Sequence, residues 1–154
     1  MTINDEYTVL SNIDLFEHLD PVELKRLIFV SQRYQLKSGE YLFRQGDTAD
    51  KVFGIVEGEF SILLESDNHQ VVIAREDRGK LIGEMAAISG EARSASIRAE
   101  GFCEVIGFER ELFVSTIINS PKTALKMLKL LSQRISKIDE RVAELLGEND
   151  ESIK

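Results

Sequence analysis

The sequence predicts an α+β protein that is mainly β, with helices at both ends and an antiparallel sandwich or barrel between them. Three observations carry this. Helical apolar spacing is confined to the two ends of the 154-residue chain. Between Tyr34 and Phe108, short β-prone runs alternate with turn residues such as Ser38-Gly39, Gly46-Asp47, Glu57-Gly58 and Asp77-Arg78-Gly79. No linker, repeat or low-complexity tract divides the chain, and its length is enough to bury a core without metal or disulfide staples.

Taken in order, residues 1–10 are expected as a loose or docking tail ahead of one domain spanning 11–146. From Ser11 to Val30, Leu15, Phe16, Leu19, Leu24, Leu27 and Ile28 recur at helical spacing. Asp20-Pro21 interrupts them as an N-cap followed by a first-turn proline, giving a short helix, a break and a helix over 21–31. Strands are predicted at Arg33–Leu36, Tyr41–Arg44, Lys51–Val56, Glu59–Glu65, Gln70–Arg75, Ala95–Ala99 and Glu104–Phe108. A short helix over Arg110 to Ile118 precedes a long one over 121–146, opened by Ser120-Pro121 and capped by Gly147. Residues 147–154 are expected as a flexible tail.

Composition narrows the function classes. Twenty-seven acids against nineteen bases give a net charge of −8, which opposes direct nucleic-acid binding and attraction to anionic membranes. The N-terminus MTINDEYTVL has no signal-peptide pattern and no apolar run is long enough to span a membrane, so a cytoplasmic protein is expected. Cys103 sits in an apolar run and is expected as a buried, inert thiol. His18 and His69 are the only histidines and lack metal-ligand spacing, so no metal site is expected. Ser89-Gly90-Glu91 is no nucleophile elbow, and no catalytic residues are predicted: the chain is read as a non-enzyme with no cofactor.

The candidate site is the run from Ile82 to Ala99. It places a glycine turn, a carboxylate and a short helical stretch ahead of Arg93-Ser94-Ala95. Helix-start N–H groups and a guanidinium suit a phosphate, and a carboxylate, which only accepts, suits a ribose hydroxyl. This run resembles the phosphate-binding cassette of cyclic nucleotide-binding domains, the regulatory modules of catabolite activator proteins, cyclic-nucleotide-dependent kinases and cyclic-nucleotide-gated channels. Gly39-Glu40, Leu42, Gly46-Asp47, Ala49, Val52, Ile55, Val56 and Gly58 extend the likeness upstream.

The resemblance implies an antiparallel double-stranded β-helix, a jelly-roll-like β-roll, flanked by N-terminal helices and a long C-terminal helix. It implies that Glu84 accepts the ribose 2′-hydroxyl and Arg93 pairs with the cyclic phosphate. Gly83, Met85 and Ala86 would supply turn and backbone contacts, Ser94 a hydroxyl and N–H, and Ala95 close approach. The closing helix would present Ile138 and Asp139 to the base. The ligand implied is cyclic AMP first and cyclic GMP second, sensed by a bacterial regulatory domain. Three positions depart from the family's usual pattern. Ala87 replaces a larger aliphatic, Ala92 replaces a proline, and Gly54 replaces a bulky residue, which would leave room beside the pocket. Arg98 is read as a solvated strand residue.

Leu128, Leu131, Ile135, Ile138, Val142 and Leu145 are spaced 3, 4, 3, 4, 3. That is the seam of two helices packing side by side, so a homodimer through helix 121–146 is expected, with a further, unknown protein partner. Two alternatives stand beside ligand sensing: an interaction and dimerisation module of the same fold with an empty pocket, or a regulatory fragment of a larger transcription regulator.

Overall fold

The computed structural model describes the backbone of residues 3–153 and the side chains of residues 6–147. Helix α1 (Ile3–Ser11) and a 3-10 turn (Asp14–Phe16) lead into α2 (Pro21–Phe29). Eight strands follow: β1 (Gln32–Leu36), β2 (Tyr41–Phe43), β3 (Lys51–Glu57), β4 (Phe60–Ser66), β5 (His69–Glu76), β6 (Leu81–Ile82), β7 (Ser96–Ala99) and β8 (Cys103–Glu109). Helix α3 (Glu84–Ser89) interrupts them between β6 and β7, and α4 (Arg110–Ile118) and α5 (Pro121–Ile153) close the chain.

The strands form two antiparallel four-stranded sheets, β1-β8-β3-β6 and β2-β7-β4-β5, which together make the β-roll. Strand β3 explains how the layers stack, because a strand points alternate residues to opposite faces. Phe53 and Ile55 face the core between the sheets with Phe60, Ile97 and Val105. Val52 and Val56 face the other way, onto a second core built by α1, α2, α4 and α5. The first sheet is therefore buried on both sides, and the helices pack on its outer face.

Local chemistry sets the element ends. The Asp20 carboxylate accepts from the Val22 N–H at 3.0 Å and caps α2. The two-residue turn Asp67-Asn68 takes positive φ values of 33° and 69° between β4 and β5, as a tight hairpin requires. At the start of α5, the Ser120 hydroxyl lies 2.8 Å from that of the fully buried Thr123.

Four expectations change. The stretch expected as a loose or docking tail contains α1, whose Val9 and Leu10 are buried in the helical core. Gly54 leaves no room: a Cβ there would lie 3.1 Å from Leu10 Cδ2 and 3.2 Å from Ile13 Cδ1, so the N-terminal segment fills that space. Helix α5 runs through Gly147 to Ile153 rather than capping there. A glycine within a helix costs only about 1 kcal/mol, too little to stop one already extended. Strand β6, two residues long, lies outside the expected strands.

Candidate functional site

The cassette begins where β6 ends. Gly83 adopts φ +84°, which turns the chain from β6 into α3, and Gly90 at φ +77° ends α3 with its N–H donating to Ala86 O at 2.9 Å. Gly83 is required for a second reason. A Cβ there would run into Nη1 of Arg93, so the missing side chain is what lets the guanidinium approach the turn.

Arg93 is only 4% exposed. Its Nη1 donates to Gly83 O at 2.9 Å and its Nη2 to Lys51 O at 2.6 Å, while the guanidinium stacks on the Phe43 ring at 4.0 Å. Nε is buried with no partner, and among the described residues no carboxylate lies within ion-pair distance of this side chain. Burial accordingly pushes the Arg93 pKa down. Asp50, Asp47 and Glu84 act on this cation only from beyond ion-pair distance, and a buried cation whose direct contacts are neutral carbonyls and a ring is a poor resting arrangement unless an anion completes it.

Glu84, the first residue of α3, is 5% exposed and pairs with Arg134 of α5. This ion pair ties the cassette to the closing helix. A cavity of about 590 Å³ opens beside it, bounded by Ile13, Leu81, Met127, Gln133, Arg134 and Lys137 among others. The cavity reaches Glu84 but not Arg93.

The other expected site residues are distributed unevenly. Ala86 is buried, Ala95 half-buried, and Met85 and Ser94 exposed. Ile138 and Asp139 lie exposed on α5 and do not line the cavity; Arg134, a turn earlier, is what meets the cassette. Sequence reasoning missed Arg134 and Phe43. A signal for Arg134 was present: Leu131, expected in the exposed seam, packs with Met127 and Leu130 on the domain's own core, and three residues further that face reaches Arg134. Arg98 pairs with Glu100 at 3.1 Å and does not line the cavity beside Glu84.

Cys103 is fully buried, its Sγ donates to Glu59 O at 3.2 Å, and burial pushes its thiol pKa up, so it is a packing residue. Among the described residues no cluster of His, Cys, Asp or Glu could hold a metal, and no helix is long and apolar enough to cross a membrane.

Comparison with known proteins bears on the family and the fold. The family model of the cyclic nucleotide-binding domain matches residues 33–120, more than half of the chain. The sensor domain of the transcriptional regulator DNR from Pseudomonas aeruginosa superposes with a TM-score of 0.80 at 24% identity, covering 90% of this chain and 94% of that one. The catabolite activator protein of Thermus thermophilus gives 0.75 at 26% identity, covering 86% of this chain and 62% of that one. Among curated proteins, a lysophospholipase of Aspergillus fumigatus is 28% identical over 122 residues. That match takes in 79% of this chain but only 8% of the relative's length, so this chain corresponds to a small part of it.

Proposed function

We infer a function from the premise that this chain belongs to the cyclic nucleotide-binding domain family: it senses a cyclic ribonucleotide, cyclic AMP first and cyclic GMP second, and does so without catalysis. The observation that carries this is Arg93, buried, unpaired at Nε and lacking any carboxylate partner among the described residues. A cyclic phosphate beside it would supply the missing charge, and charge-assisted hydrogen bonds of that kind contribute about 1.5–3 kcal/mol. Glu84 is the ribose acceptor, with Gly83, Met85, Ala86, Ser94 and Ala95 forming the surrounding turn and backbone contacts. Ribose binding then competes with Arg134 for the Glu84 carboxylate, which makes α5 the responding element. Ile138 and Asp139 reach the base only if α5 or a second copy moves toward the cassette.

Binding is tested by thermal unfolding with cyclic AMP. A hundredfold excess over Kd stabilises the folded state by about 2.7 kcal/mol by mass action, seen as a raised melting temperature. The shift vanishes in Arg93→Leu and shrinks in Glu84→Ala.

One observation favours the second reading, a module of the same fold whose pocket stays empty. Phe43 already covers one face of the Arg93 guanidinium, and Glu84 already has a cation partner. No shift in the unaltered protein with either cyclic AMP or cyclic GMP would decide for that module. In both readings the apolar stripe of α5 pairs with a second copy of the chain, and any further output partner is a separate protein.

A further inference from the structure

Away from the cassette, one carboxylate collects an unusual number of donors. Glu65 near the end of β4 accepts from Gln70 Nε2 at 2.8 Å, from Ser96 Oγ at 2.8 Å and from Arg44 Nη2 at 2.5 Å. Together these donors, Gln70 foremost, hold its pKa down to about 2. Its own backbone is bracketed by one side chain: Gln45 Oε1 accepts from the Glu65 N–H at 2.8 Å, and Gln45 Nε2 donates to Glu65 O at 3.2 Å. Three segments, β5, β7 and the loop after β2, thus converge on one residue, which sits on the hairpin β4–β5 outside every contact assigned above.

The connections lead back to Arg93. Ser96, fully buried, also accepts the Gln45 N–H at 2.8 Å. One residue on, the Gly46 N–H donates to Arg93 O at 2.8 Å, and the Arg93 N–H donates to Asp47 O at 2.9 Å. Asp47 in turn accepts the Arg44 N–H at 2.9 Å. The loop after β2 is therefore gripped on one side by Glu65 and Ser96, and on the other by the backbone of Arg93 itself.

We propose that Glu65 is a positioning residue for the anion site: its carboxylate locks the 44–47 loop and Ser96 together, and that loop fixes the backbone from which Arg93 is presented. This rests on the reading of Arg93 as the phosphate contact. The charge is what the role requires. Ser96 Oγ takes the Gln45 N–H as an acceptor, so its own proton is free to go to Glu65. A carboxylate can receive that proton together with the Arg44 and Gln70 donors, whereas a carboxamide has only one acceptor oxygen.

The test is Glu65→Gln in the full chain, with Ser96→Ala as a second variant in case the first does not fold. Amide hydrogen exchange in the ligand-free protein reads the clamp directly. Exchange at Gly46 and Arg93 should accelerate about tenfold, while amides of the β3–β8 pairing keep their rates. Titration with cyclic AMP should show Kd raised about tenfold in the variant, a partial loss where Arg93→Leu alone abolishes binding. Unchanged exchange at Gly46 and Arg93 overturns the clamp. Uniform acceleration including β3–β8 also overturns it, because Glu65 would then serve stability alone. Local acceleration with unchanged Kd overturns the positioning role. If the unaltered protein binds no cyclic nucleotide, the binding reading falls, and the exchange measurement still decides the clamp by itself.

Discussion

Two glycines do opposite work in this chain, and the distinction lies in φ as well as in space. Gly83 holds φ +84° and lies against the guanidinium it serves. Gly54 has ordinary strand geometry and is needed only because Leu10 and Ile13 press on it. Replacing Gly83 by alanine therefore incurs a left-handed backbone cost of about 1–2 kcal/mol and also displaces Nη1 of Arg93 from Gly83 O. The expected result is a lowered melting temperature together with loss of the stabilisation by cyclic AMP. An unchanged cyclic AMP shift in Gly83→Ala would separate the turn from the site and count against the assignment of Arg93.

At the scale of elements, the first sheet is held between two cores, and α1 belongs to one of them. Gly54→Val pushes methyl groups into Leu10 and Ile13, and overpacking of that kind costs about 1–3 kcal/mol. Denaturant unfolding should show the loss, and pairing it with Leu10→Ala should recover part of it, since both substitutions act on one contact. Additive losses in the double variant would mean that α1 is not what Gly54 accommodates. The same elements show what the sequence makes legible. Seven of the strands follow from alternation and turn residues, because those signals are local. The two-residue β6 exists only through its pairing with Phe53 and Gly54 on β3, which no local pattern encodes. Helix α1 shows little periodicity of its own and is fixed by what Val9 and Leu10 bury against. Within the site, Glu84 and Arg93 stand out by spacing in one contiguous run. Arg134 joins them across the fold, and its place depends on how α5 is rotated, which the seam read with Leu131 on its exposed side put out of phase.

For the whole molecule, α5 is the element that does not belong wholly to the domain. Its first turns are core: Thr123 is fully buried, Met127 is 5% exposed, and Leu130 and Leu131 pack behind them. Beyond Arg134 the helix leaves the β-roll with Ile135, Ile138, Val142, Leu145 and Leu146 all exposed along it. At 1.5 Å per residue the exposed apolar positions from Ile135 to Leu146 span about 17 Å of helix, and a contiguous apolar stripe in water favours a cover. Heptad spacing is what the proposed pairing with a second α5 requires, since each apolar residue would then meet its counterpart from the other chain. Ile138→Lys puts a charge into that seam while touching nothing in the domain's own core. Its effect on domain stability should stay within about 0.5 kcal/mol, and size exclusion with light scattering should report a dimer for the unaltered chain and a monomer for the variant. A monomer in both cases removes the seam as an interface. A dimer in both places the contact elsewhere on the molecule. Because Arg134 sits between the packed and unpacked halves of α5 and holds Glu84, a ligand that takes Glu84 would act where the helix leaves its own domain, and the light-scattering mass should then depend on cyclic AMP in the unaltered chain.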